Sequence, residues 1–316
     1  MQGVLTCWDG RRITLPDVVR WKFQYGCGTP CDSFQLTCLW EPGEADVLAE
    51  AVGFTASQDG ETVFTGVVDE CERGWDSSGG TLTVAGRGMA ARLLDNEALG
   101  ADYQVATLED ILRDHVAPYG IPASVGAELP AVPNFSVATG SSEWQVVYEF
   151  CRYYGGIAPR FDRYGRLVIA PWPDGERRVL GPDAAVTRLT LRDQRYGVLS
   201  QVLVRDRTSE EVQTVADGDF LRRGGRSRRV LTMPGKSSYQ AMRYSGEYQL
   251  ARAREELRTL ELELRAAFAA WPGGRGELRR AQNVGAGLWR VRESVSAQEE
   301  RGSYTRLTLA PPDAVG

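Results

Sequence analysis

The segment Arg222-Arg223-Gly224-Gly225-Arg226-Ser227-Arg228-Arg229 places five arginines in eight residues. A guanidinium carries planar donors suited to carboxylates and phosphates, and the paired glycines predict a loop. No aromatic residue is interleaved, so the stacking platforms of a single-strand nucleic-acid binder are lacking. A loop facing an acidic partner protein and a solvated loop both remain open readings. Arg222, Arg223, Arg226, Arg228 and Arg229 are therefore the candidate partner-binding residues.

The other chemistry-bearing residues read as structural. Glu255-Glu256 and Glu299-Glu300 are acid pairs, but glycoside hydrolysis needs two acids set across a cleft. These pairs lie in helical or turn-like charged stretches and read as solvated faces. His115, the single histidine, falls on the apolar face of an expected helix with only Asp114 beside it. It reads as a half-buried packing residue. Gly86-Arg87-Gly88-Met89-Ala90-Ala91 fits the loose dinucleotide pattern, yet the strand before it belongs to a hairpin, and Asp102 and Glu109 fall beside a helix start. Flexible glycines at a strand-to-helix turn are the simpler account. GxSxG, HExxH, GxxxxGK(S/T) and DxDxDG motifs are all missing. Cys27, Cys31 and Cys38 offer three thiols without a nearby fourth ligand, and the six cysteines read as reduced, buried thiols. No catalytic, cofactor or metal residues are expected.

The elements that must carry these residues are mainly strands. VFTGVVDECERGWDSSGGTLTVAGRG, residues 63 to 88, alternates apolar and polar positions around a Gly-rich turn and predicts an antiparallel hairpin. LWRVRESVSAQEERGSYTRLTLAPP, residues 288 to 312, repeats the plan near the C-terminus. GVLTCW, VVRWKFQY and SFQLTCLW add strands, the second with Trp21, Phe23 and Tyr25 on one face. Thr107 to Asp110 has the form of a capping box, with Leu108, Ile111, Leu112 and His115 on one helical face until Pro118. Ser142 opens a second helix bearing Trp144, Val147, Tyr148 and Cys151. IAPRF and RLVIA flank a DRYG turn, and strands resume at VTRLTL and GVLSQVLVRD. Residues 238 to 257 read as helix, and TLELELRAAF as a strand that alternates around Glu261 and Glu263.

Length and composition bound the rest. A chain of 316 residues suggests two or three domains. Apolar content of 42% and charge of 25% are those of an ordinary globular protein. A net charge of −5 gives no general attraction to nucleic acid or anionic membrane. MQGVLTCWDGRR has no apolar run for a signal peptide, and no stretch is long enough to span a bilayer, so a cytoplasmic origin without a membrane anchor is expected. We divide the chain into residues 1–100, a β-rich unit; 101–183, an α+β insertion; and 184–316, a return to the β region with a helix near 238–257.

Taken together, four stretches resemble the baseplate hub family of contractile phage tails and related injection machines, which includes the phage Mu hub and late control D proteins. They are VFTGVVDECERGWDSSGGTLTVAGRGMAARLLDN; TLEDILRDHVAPYGI with SSEWQVVYEFCRYYGGIAPRFDRYGRLVIA; GVLSQVLVRD; and LWRVRESVSAQEERGSYTRLTLAPPD. Residues 206 to 287 match least. The resemblance implies a mainly β protein with an α+β insertion, whose two tail-tube-like β-barrels form a pseudo-sixfold ring as a homotrimer. It implies a structural hub adapting the hexameric tail tube to a trimeric central spike, with other baseplate proteins and the tape measure as further partners. DNA would only pass through the lumen, and no cofactor is implied. Such a protein resides in the virion tail baseplate after assembly in the host bacterial cytoplasm. The competing readings are a tail-associated cell-wall or carbohydrate-active enzyme, or a receptor-binding adaptor displaying Trp271 and Trp289.

Overall fold

The structure, a computed structural model, describes residues 1–27, 30, 32–41, 48–77, 79–172, 177–180, 185–208, 210–279 and 284–314. The first unit contains β1 (Gln2–Cys7), β2 (Arg12–Thr14), β3 (Val18–Gly26), β4 (Ser33–Leu39), β5 (Ala51–Gln58), β6 (Glu61–Asp76) and β7 (Gly79–Gly88). Alternation sets the faces: Trp21, Phe23 and Tyr25 are buried, and Arg20, Lys22 and Gln24 point outward. A bulge between Val18 and Arg20 breaks the rhythm and leaves Val19 exposed. Phe34 stacks on Phe54 with ring centroids 3.8 Å apart, and Phe64 packs against both. The expected hairpin is β6–β7, paired from Gly66↔Gly88 to Asp76↔Gly79.

The chain then passes α1 (Ala91–Leu94), β8 (Ala101–Ala106), α2 (Leu108–His115), a 3-10 turn at Ala117–Tyr119, β9 (Ala123–Val125), β10 (Val132–Val137) and α3 (Glu143–Glu149). A π-helical turn Phe150–Tyr154 continues α3 and leads to β11 (Arg160–Phe161) and β12 (Leu167–Ile169). Local chemistry sets both expected helix starts. Thr107 and Asp110 form a reciprocal capping box on α2, and the Ser142 hydroxyl accepts from the Gln145 amide on α3. Pro118 lies in the 3-10 turn rather than in the helix.

The remainder comprises β13 (Arg177–Leu180), β14 (Val186–Asp193), β15 (Gln201–Arg205), β16 (Val212–Ala216), α4 (Gly218–Arg222), β17 (Arg228–Thr232), α5 (Tyr239–Glu255), β18 (Arg258–Leu264), β19 (Arg275–Leu278), β20 (Gly287–Glu299) and β21 (Gly302–Ala310). The helix near 238–257 and the TLELEL strand are α5 and β18. The Pro-rich stretch expected to close the insertion contains a strand, β13, which pairs in parallel with β19.

Residues 199–255, assigned from sequence to the second β unit, pack elsewhere. Leu199, Val202, Val204, Met242 and Leu250 share one buried cluster with Ile111, Val147, Phe150 and Leu167 of the insertion. The sheet β16-β15-β17 lies against α5, where a Cβ on Gly246 would come within 2.5 Å of the Val215 side chain. Small residues at such a crossing allow close helix-to-sheet approach. The α+β body is thus discontinuous in sequence, interrupted by β13 and β14.

Mainly β architecture follows from the large sheet, whose pairing order is β14-β18-β21-β20-β3-β4-β7-β6-β5-β1-β2, with β19 also on β20 and β13 on β19. Among the described residues this is an open path with β2 and β14 at its ends. The two hairpins seen in the sequence lie on either side of one seam, where β20 pairs antiparallel with β3 from Glu293↔Gly26 to Gln298↔Trp21. Two hydrophobic cores flank that seam, one around Leu36, Phe54 and Phe64, the other around Leu260, Leu262 and Leu309.

Candidate functional site

The arginine segment is only partly a loop. Arg222 ends α4, whose start is capped by Asp217 accepting from the Phe220 amide, and Arg228 and Arg229 begin β17. Arg222 pairs with Asp219 one turn earlier. Arg226 donates to the carbonyls of Leu221 at 3.0 Å and Gly225 at 2.7 Å, bracing its own turn. Arg229 donates to Gln249 Oε1 of α5 at 2.8 Å. All five side chains are exposed. Three are therefore occupied by their own fold, and Arg223 and Arg228 are the two for which no side-chain bond is seen among the described residues.

The acid pairs separate. Glu299 and Glu300 lie at the exposed β20–β21 turn, where Glu300 pairs with Arg20 at 2.8 Å and Glu299 accepts from the Tyr304 hydroxyl. Glu256 is exposed, but Glu255, expected on a solvated face, is 3% exposed and accepts from Arg252 at 2.9 Å. The end of α5 thus directs one residue of the pair inward and the other to solvent.

His115 is more deeply engaged than a half-buried packing residue. It is 5% exposed, with Nδ1 at 2.6 Å from Glu143 Oε2 and Nε2 at 3.1 Å from the Tyr103 hydroxyl. The Tyr119 hydroxyl donates to the other Glu143 oxygen at 2.8 Å. Glu143, the first residue of α3, sits 28 positions from His115, so no local motif shows the pairing. The cluster ties β8, α2 and α3 together, and buried polar groups linked this way rigidify their surroundings.

Gly86 and Gly88 are strand residues, not flexible hinges. A Cβ on Gly86 would lie 2.0 Å from the Val67 carbonyl oxygen and 2.7 Å from the Phe34 ring. The glycines permit close backbone approach beside the bulge at Val68–Glu70. The strand after α1 is β8, which pairs antiparallel with β10, so the parallel crossover of a dinucleotide unit does not form.

The feature that sequence reasoning missed is the run Ala266–Pro272. Its odd-numbered side chains Ala267, Ala269 and Trp271 pack on the first β core, and its even-numbered Phe268 and Ala270 on the second. The Thr305 side chain of β21 anchors its backbone: the hydroxyl donates to the Ala266 carbonyl at 2.7 Å, and the Phe268 amide donates to Thr305 Oγ1 at 3.1 Å. The period-2 pattern is present in the sequence, but both faces are apolar and short, which hides the alternation. Trp289, offered for an exposed adaptor face, is 5% exposed and donates to the Gly285 carbonyl, while Trp271 is half-buried in the bridge.

Surface suited to assembly lies elsewhere. Trp8 follows β1, Trp75 sits near the tip of the β6–β7 hairpin and Tyr196 follows β14; these are 73%, 69% and 89% exposed. Among the described residues, β2 and β14 are the edge strands of the large sheet. Cys7, Cys38 and Cys151 are buried, and burial pushes the Cys38 thiol up to about 11 and Cys151 up to about 12. Cys31 lies outside the described residues. Among those residues, no helix is long and apolar enough to cross a membrane.

No protein-family model matches the chain. A curated relative, baseplate hub protein gp44 of Escherichia phage Mu, is 37% identical over 146 residues, covering 43% of this chain and 38% of that protein. The match therefore spans well under half of the relative's length. Among solved structures, a tail protein from Neisseria meningitidis MC58 superposes with TM-score 0.78 at 17% identity over 99% of this chain and 97% of its own. The 43 kDa tail protein of prophage MuSo2 from Shewanella oneidensis gives 0.75 at 16% identity, with both chains fully covered. An E. coli component of the type VI secretion system gives 0.63 at 16% identity, covering 95% of this chain and 75% of its own. These likenesses show the fold.

Proposed function

We propose that this chain is a structural baseplate hub of a phage tail or a related contractile injection particle, adapting a hexameric tail tube to a trimeric central spike. The observation that carries the reading is the 37% identity with the Mu baseplate hub protein. The fold supports it: two hairpin-based β units joined edge to edge at the β20–β3 seam. In the assembled particle each unit closes into a tube-like barrel, and three chains place six such barrels in a ring. The physical argument is symmetry matching, since a chain carrying a fold twice presents six quasi-equivalent edges while remaining threefold.

In this role the protein carries out no bond-breaking or bond-making chemistry; its work is done through interfaces with the tube protein, the spike, other baseplate proteins and the tape measure. A net charge of −5 disfavours adhesion of DNA passing through the lumen. The protein is assembled in the host bacterial cytoplasm and resides in the virion baseplate. Negative-stain electron microscopy tests the reading, on the purified chain alone and co-expressed with neighbouring tail genes. Threefold rings with six lobes are expected, and monomers in both preparations would refute it.

A further inference from the structure

A concavity of about 600 Å³ opens where the first β unit, the insertion hairpin and the Ala266–Pro272 bridge meet. Six arginines line it: Arg160, Arg163, Arg166, Arg177, Arg178 and Arg275. Three of their guanidinium carbons lie over aromatic rings, Arg160 over Trp172 at 4.3 Å, Arg163 over Trp271 at 4.2 Å and Arg178 over Phe268 at 4.5 Å, and Arg160 also donates to the Ala170 and Pro171 carbonyls. A guanidinium held over a ring by its charge keeps N–H groups at its rim, where a carboxylate can be met.

The neighbouring acids offset part of this lining, but the arginines outnumber them. Asp162 is taken by Arg166 at 2.7 Å, and Arg177 by Glu277. Arg163 pairs with the exposed Glu61 at 3.5 Å and donates to the Tyr164 hydroxyl at 2.8 Å. Asp32 accepts from the Gly26 amide at 3.0 Å, and desolvation pushes its carboxyl up to about 6. Arg178 is exposed, with its stacking partner beneath it. A cationic, aromatic-floored concavity thus sits in a chain of net negative charge.

We propose that this concavity binds an acidic, aromatic-containing peptide segment of a partner protein. Its carboxylates would meet Arg163 and Arg178, and its apolar side chain would seat against the bridge near Pro272. Charge complementarity selects the acidic character, and the volume lies in the range of sites that enclose several side chains. Nucleic acid fits less well, because the aromatic faces that would stack bases are already covered by guanidinium groups. The site adds to the assembly reading but does not require ring formation, since binding is measured on the isolated chain.

The test is fluorescence anisotropy with a labelled Glu-Asp-Phe-Glu-Asp peptide titrated with the intact protein. Binding is expected to weaken about tenfold or more in the R163Q/R178Q double variant and to fall steeply with added salt. R178Q alone, an exposed substitution, is expected to weaken binding with the fold unchanged by circular dichroism. R222Q/R223Q on the remote arginine segment should bind as the parent does. Absence of binding by the parent, equal binding by R163Q/R178Q, or equal loss in R222Q/R223Q overturns the proposal. Tighter binding of an oligothymidylate than of the peptide also overturns it, in favour of nucleic acid.

Discussion

The indole of Trp271 donates to the carbonyl of Val63 at 3.3 Å, joining residues 208 positions apart. The same carbonyl accepts from the buried Tyr25 hydroxyl at 2.7 Å. One acceptor in the first β unit thus anchors both its own strand β3 and the bridge from the second unit. Trp271→Ala is expected to cost about 3 kcal/mol, through lost packing and an opened cavity, and Trp271→Phe about 1 kcal/mol through the lost bond. Urea denaturation followed by fluorescence of the remaining tryptophans checks both values. A null effect of Trp271→Ala would show that the bridge does not couple the cores.

Gly86→Ala is expected to destabilise by about 3 kcal/mol or to prevent soluble expression, because the added methyl meets the Val67 carbonyl, which cannot move without breaking the β6–β7 register. Gly60→Ala provides the contrast. Its φ of +83° is strained for alanine, but nothing lies within 4 Å, so a loss of about 1 kcal/mol is expected. Thermal melts of the two variants rank them.

Glu143→Gln keeps the shape of the His115 partner but alters its hydrogen-bond inventory, and is expected to cost about 1–3 kcal/mol. Glu143→Ala should cost more, because His115 and Tyr119 would both lose a buried acceptor. Hydrogen exchange across α2 and α3 should rise in step with the loss in urea stability.

Desolvation raises Asp32 from its ordinary 3.8 to about 6. Between those values the folded state holds a proton that the unfolded state has released, so stability falls as pH rises from about 4 to 6. Asp32→Asn keeps an acceptor for the Gly26 amide and removes this titration. The variant should therefore show a flatter stability profile and be more stable than the parent at pH 7 by about 1–2 kcal/mol, allowing for solvent screening of a half-buried side chain. Chemical denaturation at pH 4, 5, 6 and 7 measures the slope; parallel profiles would exclude Asp32 as its source.

Local signals proved legible where local physics decides the outcome. The capping box at Thr107, the cap at Ser142, the two long hairpins and the alternation of Trp21, Phe23 and Tyr25 all depend on neighbours a few residues away. Glu255 and His115 were harder to place, because Glu255 is buried by the surrounding fold and His115 is partnered by Glu143 from another helix. The arginine segment was visible as charge, but the engagement of Arg226 and Arg229 depends on a turn and a helix that composition does not show.

By itself, the sequence determined a mainly β chain with helices near 108 and 143 and paired hairpins toward its two ends, since period, caps and turn residues act through the nearest few residues. Tertiary structure alone decided that residues 199–255 complete the core of the insertion, that β20 meets β3, and that Ala266–Pro272 passes between two cores. Those outcomes depend on which apolar faces can be buried together at a given volume. That is a property of the assembled surfaces, and no window of sequence contains it.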